Sequence, residues 1–423
     1  MNKKIINIKL KAGALQYTIF ISVVIALLVF GLISLTYVNQ KLRLKNSVFK
    51  EVVYLNEIAF HQIETRNNYS LEELTNENDI SNSIKKRQWG IFDVVSVTSK
   101  KGKEEITKTA FVGGLQKEKP VLYLQDMNQP LVLVGTTKIE GNAYLPEQGI
   151  KQGSIAGYSY VNNRLVYGNI LKSNQRLTKS QALERVHNFK DSVLAQANNK
   201  VLELLENQRI INSFNRPTLM LSAEYPLELR TVNLTGNIII QSTTKITIHT
   251  SAILNDVILI APIIEIKEKV KGSFQAFAEK KIEVGNQAQL NYPSTLVLLE
   301  KKESVTTQNQ LNKEFNQIII NDKSVIKGVV SFLSTKVEGN YKPQILIEEN
   351  AEITGEVYCD QNIELKGKVN GSVYTRGFIA NQNGSTYVNH IYNGQILGSQ
   401  LPEQYVGLSF LNSKQKVAKW LNY

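Results

Sequence analysis

Three short apolar phrases at a fixed interval limit what this chain can fold into. Ile246-Thr-Ile248, Ile264-Glu-Ile266 and Ile282-Glu-Val284 stand 18 residues apart, and Ala252, Val270 and Ala288 repeat that interval six residues later. Such a period marks stacked repeats, because each unit has an apolar face that it can bury only against its neighbours. The β-branched residues and their alternation with polar ones point to strands. Stacked about 4.8 Å apart, such strands pair every backbone edge with the next. The 18-residue step resumes at Ile345-Leu-Ile347 and Ile363-Glu-Leu365, after an interruption between 291 and 344 in which 300–315 reads as a loop. The expected architecture of residues 209–400 is a parallel β-helix, a solenoid of short strands.

A second phrase supports the same architecture. Ile353-Thr-Gly355-Glu-Val357-Tyr358 returns as Val369-Asn-Gly371-Ser-Val373-Tyr374, and Ile139-Glu-Gly141-Asn-Ala143-Tyr144 has the same form. Corners of a stacked coil need positive φ or close approach of two backbones, which glycine permits at little steric cost. Gly141, Gly328, Gly355, Gly367 and Gly371 are the expected corner residues. The first coils are placed within a β-rich region, 89–177, which opens with a hairpin: Ile91–Val97 and Ile106–Val112 flank the turn Lys100-Lys101-Gly102-Lys103. Thr178 and Gln181 have capping-box spacing, and Leu183, Val186, Leu194, Ala197, Val201, Leu204 and Leu205 form an apolar face. Residues 178–208 are therefore expected as an inserted helix packed on the strands. Tyr374, Phe378, Tyr387 and Tyr392 are expected to cap the last coil. The tail, 401–423, ends in KQKVAKWLNY, expected as a short basic helix with Trp420 and Leu421 docked on the solenoid or near a membrane.

The amino end has a different character. Ala14 to Tyr37 contains no charged residue in 24 positions, and as a helix it would span about 36 Å, enough for a bilayer core of about 30 Å. Residues 14–37 read as a transmembrane helix. A cleaved secretory signal has a shorter apolar region followed by small residues, whereas Tyr37, Asn39, Gln40 and Lys41 follow here. Lys3, Lys4, Lys9 and Lys11 lie in a basic leader, 1–13, and Lys41, Arg43, Lys45 and Lys50 follow the helix. The positive-inside rule thus favours a cytoplasmic amino terminus only by a small margin. Val48, Val52, Leu55, Ile58 and Ala59 continue an apolar stripe beyond the membrane, so 38–88 reads as a helical extension and polar linker. The expected fold class is mainly β: an amino-terminal transmembrane helix, then a parallel β-helix with an inserted α-helix.

Several functions are disfavoured. The net charge of +12 comes from lysines spread along the chain, without the clustered Arg and aromatic residues of a nucleic-acid groove, so no nucleic acid is expected as a partner. The single cysteine, Cys359, excludes a disulfide framework and a cysteine zinc site, and His61, His187, His249 and His390 lack metal-ligand spacing. β-Helical enzymes acting on sugars need acids clustered on one face. The seven aspartates are scattered. Glu265 and Glu283, one coil apart, have Lys267 and Lys281 beside them and read as a surface ion-pair ladder. No GxSxG, HExxH, P-loop or GxGxxG phrase occurs. No catalytic, metal-binding or cofactor-binding residue is expected, and Cys359 reads as a buried small hydrophobe.

Lys9-Leu-Lys11-Ala12-Gly13 ahead of the apolar run resembles the leader and first helix of type IV pilin-like proteins, especially minor pilins and the larger minor pseudopilins of type II secretion systems. The resemblance implies cleavage after Gly13 by prepilin peptidase, Ala14 as the new amino terminus, and an exoplasmic remainder. Thr18 stands at the fifth mature position, where most pilins have glutamate, which speaks against a major filament subunit. Residues 317–394, with their Ile/Val-x-Gly-x-Val phrases, resemble the bactofilin-like, polymer-forming β-helix repeat. Together these imply a non-enzymatic scaffold or adhesion protein anchored in the inner membrane, a minor component of a type IV pilus-like or secretion apparatus. Its expected partners are the lipid bilayer and pilin-like or secretion-system subunits, or further copies of itself. The alternative is a bactofilin-like scaffold polymerising on the cytoplasmic face; a third reading is a β-helical carbohydrate-active enzyme.

Overall fold

The computed structural model describes residues 12–65, 74–75, 80–196, 207–300, 316–335 and 340–423. The leader up to Lys11, the second half of the expected inserted helix and the loop 301–315 lie outside these residues. Contacts divide the described chain into two units, one built from 12–60, 74–75, 80–83 and 97–107, the other from 61–65, 84–96 and the described residues of 108–423.

Helix α1 (Ala12–Thr65), whose residues up to Phe60 belong to the first unit, runs unbroken for 54 residues. Its first half buries nothing: Leu15, Phe20, Leu27 and Phe30 are each about two-thirds exposed. A helix that is apolar all round and packs on no protein is suited to lipid, and this one is long and apolar enough to cross a membrane. Further along, one face turns inward. Val52, Asn56 and Ala59 are buried, and the Asn56 side-chain amide donates to the Val97 carbonyl at 2.9 Å and to Ser99 Oγ at 3.1 Å. The apolar stripe expected beyond the membrane is present, with Val48, Leu55 and Ile58 half-buried.

The helix ends at Thr65, and a strand, Ile80–Trp89, begins inside the stretch expected to be linker. Its polar run Ser81-Asn-Ser-Ile-Lys-Lys-Arg-Gln88 hides it from pattern reading; Gly90, at φ +64°, turns it into the next strand. Phe92–Lys101 and Glu104–Leu115 are the expected hairpin, turned by Gly102 at φ +59°. The carboxyl-terminal tail is also a strand. Lys414–Trp420 lies antiparallel to Glu104–Leu115, with Val417 opposite Val112 and Trp420 opposite Ala110, and not in the expected basic helix. A helix of about ten residues is marginal on its own, whereas an open strand edge supplies a full set of backbone partners.

The second unit is dominated by a large parallel sheet. The phrases of the 18-residue register are laid directly upon each other: Leu227, Ile246, Ile264, Ile282, Ile318, Ile345 and Ile363 are successive parallel partners. A second row is longer. Ile240, Leu259, Ala276, Leu296, Val330, Val357 and Val373 follow one another, and the row then passes to Leu122, Ala143 and Ile170. From Ile240 to Ala143 every member is at most 1% exposed. The strands near residues 122–145, read as first coils from their position in the chain, thus pair beyond the carboxyl-terminal strands. Ile139 likewise continues the row Ile326, Ile353, Val369, Ile396. Periodicity shows which residues share a face; it does not show which repeats are neighbours.

That arrangement changes the role of the aromatic residues expected to cap the last coil. Tyr374 and Phe378 are buried, and Leu122–Leu124 lies over Val373–Thr375. Tyr358, Tyr374, Tyr123 and Tyr144 stack in order at centroid spacings of 6.3, 6.4 and 5.5 Å. Tyr387 and Tyr392 are half-buried against Val132, Val134, Ile155 and Ala380.

Helix α2 (Ala182–Gln196) starts later than the sequence suggests. The Gln181 carbonyl accepts the N–H of Arg185, and the Gln181 N–H goes to the Ser409 carbonyl, so the helix starts after Gln181 and the expected Thr178–Gln181 capping box does not form. Ala182, Val186, Phe189 and Val193 are its buried face, with Phe189 edge-on to Trp89 at 6.5 Å.

The expected corner glycines occupy constrained positions. Gly328, Gly355 and Gly371 are parallel partners with φ between +143° and +151°, and a Cβ on Gly355 or Gly371 would stand 1.9 Å from the carbonyl oxygen of the glycine before it. Gly141 has φ +127°; Gly367 is not left-handed, but its Cβ would lie 2.4 Å from the Ala351 carbonyl. The opposite turns use no glycine at positive φ. Lys269, Gln287, Lys323 and Asn350 take φ between +56° and +59°, each followed by a buried Val270, Ala288, Ser324 or Ala351. Gly371→Ala is expected to destabilise the fold by about 2–4 kcal/mol, lowering Tm by roughly 5–10 °C in a thermal melt. Gly384→Ala, where a Cβ meets nothing within 4 Å, should cost clearly less; equal effects would refute the close-approach argument.

Candidate functional site

Alternation along the parallel strands sends Ile246, Ile264 and Ile282 inward and leaves lysine and glutamate on the outer side. Glu265 and Glu283 are direct neighbours in register. Each carries its own cation: Lys245 meets Glu265 at 2.5 Å, Lys267 bonds the same carboxylate, and Lys281 meets Glu283 at 2.7 Å. Lys245, Glu265, Lys281 and Glu283, with Lys280, Gln317 and Ile319, line a surface depression of about 440 Å³. Burial alone would raise the Glu265 carboxyl, but hydrogen bonds from Lys245 and Lys267 outweigh it and hold the group below its ordinary value. The pair is thus an ion-pair ladder of the expected kind. Exposed pairs of this type contribute about 0–1 kcal/mol each; their effect is that both carboxylates are neutralised by neighbouring lysines.

Among the described residues Asp93, Asp256, Glu356 and Glu364 are also buried; Glu356 and Asp256 each anchor a cluster, and composition alone marks neither. Glu356 is completely enclosed; it accepts the Leu408 N–H at 2.6 Å and faces Lys119 Nζ at 3.2 Å. Lys119 also donates to the Tyr405 carbonyl at 2.8 Å and lies 4.4 Å from the centre of the Tyr405 ring. Tyr405 in turn donates to the Gly328 carbonyl at 2.7 Å, and Tyr292 donates to the Val406 carbonyl at 2.8 Å. Burial, reinforced by the Glu356 charge, pushes the Tyr405 hydroxyl well above its ordinary value, so it stays a donor. The group ties the segment around Tyr405–Leu408 to the strands Val325–Leu333 and Glu352–Leu365.

Asp256 forms the second cluster. It adopts φ +60° and is nearly enclosed; its carboxylate receives Lys419 Nζ at 2.8 and 2.6 Å and the Tyr423 hydroxyl, while its carbonyl accepts Trp89 Nε1 at 3.1 Å. Asp360 is raised by burial, against the Ser334 N–H and the Tyr358 hydroxyl that favour its charged form. Its neighbour Cys359 is wholly buried, with a thiol pushed well above the ordinary value, as expected for a packing residue. Among the described residues no three His, Cys, Asp or Glu side chains converge as a metal-ligand set.

Gly13 and Ala14 lie in the first turn of α1, exposed, with nothing within 4 Å of a Cβ on Gly13. Thr18 Oγ1 donates to the Ala14 and Leu15 carbonyls at 3.2 and 2.9 Å, so the hydroxyl is satisfied within its own helix. No local sequence pattern marks Lys119, Glu356, Asp256 or Lys419 as members of a cluster. Only the position of Glu356 beside the corner glycine Gly355 was visible, and its cover comes from a segment about 50 residues downstream. No family model matches this chain, and neither do any curated protein or solved structure.

Glu356→Gln leaves Lys119 without its counter-charge and is expected to cost about 3–5 kcal/mol in denaturant unfolding; adding Lys119→Met should recover part of that loss, and an unchanged midpoint would refute the lock. Glu265, held low, adds stability that is complete above its ordinary value of 4.5 and is lost as pH falls through its lower folded value. Glu265→Gln should therefore flatten the fall of Tm in acid, read by melts from neutral pH downward; parallel curves would argue against the ladder.

Proposed function

We propose that this protein is a non-enzymatic, membrane-anchored scaffold or adhesion element in which the parallel sheet winds as a β-helix and presents a long, stiff face outside the inner membrane. The observation that carries this reading is the unbroken buried row from Ile240 to Ala143, in the same chain as a helix whose apolar first half packs on no protein. A stack held by backbone pairing on every rung resists bending, which suits a spacer or a docking face. The ion-paired exterior at Lys245, Glu265, Lys267, Lys281 and Glu283 fits such a role better than acid–base chemistry, because a general acid needs a carboxyl raised toward neutral pH, and Glu265 is lowered.

The pilin-like leader supports assignment as a minor component of a type IV pilus-like or secretion apparatus, with Gly13 and Ala14 as the processing point and an exoplasmic remainder. Thr18, whose hydroxyl is satisfied locally, stands where most pilins have glutamate, which favours a minor component over a bulk filament subunit.

The test is the mature amino terminus of protein isolated from membranes of its own cells, by mass spectrometry. A start at Ala14 with a methylated amine is the expected result. An intact Met1 or Asn2 would overturn the pilin-like processing, and a carboxyl terminus mapped to the cytoplasmic side would favour the polymerising scaffold instead.

A further inference from the structure

The first unit brings together two basic segments that are far apart in sequence. On α1, Lys41, Arg43 and Lys45 are exposed just beyond the uncharged run that ends at Tyr37. On the hairpin, Lys100 and Lys103 are exposed and Lys101 is half-buried. The hairpin runs back along the helix toward that uncharged run: Val97 and Ser99 meet Asn56, Lys101 pairs with Glu51 at 2.8 Å, and Glu104 pairs with Lys45 at 3.7 Å. Its tip, at Gly102, therefore points along α1 toward the residues that would lie in lipid.

Lys45 is eight residues past Tyr37, about 12 Å along the helix axis. The headgroup layer extends about 5–7 Å beyond the hydrocarbon on each side. The hairpin tip, level with Lys45, thus stands within one Debye length, about 8–10 Å, of the phosphate plane. Six cations face three nearby carboxylates, those of Glu51, Glu104 and Glu105, so the collar is positive even with two of its lysines ion-paired. A tight turn about Gly102 with a lysine on each side is suited to a flat anionic surface, which exposes many phosphates in one plane.

We propose that the hairpin tip Lys100–Lys103 and the α1 segment Lys41–Lys45 form one basic collar that binds the headgroups of anionic phospholipids in the leaflet from which α1 emerges. The collar rests on the anchor reading above. It also gives that reading a second point of contact: the hairpin fixes the angle at which the helix leaves the bilayer, because two contacts on one surface remove a tilt that a lone helix keeps.

The experiment uses the full chain in lipid nanodiscs of phosphatidylcholine alone or with three parts in ten phosphatidylglycerol. Acylation rates of individual lysines by a neutral amine-reactive reagent are read by mass spectrometry. Lys100 and Lys103 are expected to react at least threefold more slowly in the anionic discs, with the difference removed by 0.5 M salt and Lys323 unchanged. Equal rates in both discs, or equal slowing at Lys323, would overturn the collar while leaving the anchor intact. Failure of the chain to co-elute with discs of either composition would overturn the anchor reading, and the collar with it.

Discussion

Parallel backbone pairing that keeps the apolar columns in register, with bulges between them, is the constraint from which the large unit follows. Each strand needs a neighbour on both edges for its N–H and C=O groups, and each inward residue needs an apolar partner directly above and below. When Leu227, Ile246, Ile264, Ile282 and Ile318 stand in one column, both needs are met by the same geometry. Burying one such side chain contributes about 1.5–3 kcal/mol. A slip by one residue would turn the whole column outward. The glycine column at 328, 355 and 371 belongs to the same constraint: successive corners approach so closely that only a residue without Cβ fits.

A stack of parallel strands has ends, and the ends must be closed. Here the chain closes one of them with its own earlier residues. Leu122–Leu124 lies on Val373–Thr375, and Lys138–Glu140 on Gln395–Leu397. The late segments are then pinned by charge. Glu356 holds the backbone at Leu408 with Lys119 as counter-ion, and Asp256 holds Lys419 and Tyr423. Buried pairs of this kind add little net stability, since desolvation consumes most of the attraction, but breaking one is costly. Their effect is to allow one docking of the carboxyl-terminal segments and penalise others.

The proposed function uses these features as mechanics. On that proposal, a helix suited to lipid, a strand stack and an ion-paired outer face would form an element that carries position and load, with the proposed basic collar holding the helix at the membrane. The buried carboxylates and the raised tyrosine hydroxyls, which in another setting would suggest proton chemistry, here have partners that hold the chain in place.

The sequence by itself determined the elements whose cause is local or periodic. The 18-residue interval identified the columns, the glycine phrases identified the tight corners, the uncharged run identified the long apolar helix, and the Lys-Lys-Gly-Lys turn identified the hairpin. It misread the tail as a helix and the strand Ile80–Trp89 as linker, because in both the strand state depends on a partner edge and not on composition. It placed residues 122–145 at the start of the stack, because order along the chain carries no information about which free edge a strand will cover. Only the tertiary structure decided that placement, and only it showed Glu356 and Asp256 as buried locks: the groups that enclose them come from segments about 50 to 240 residues away, joined by contacts that no local pattern records.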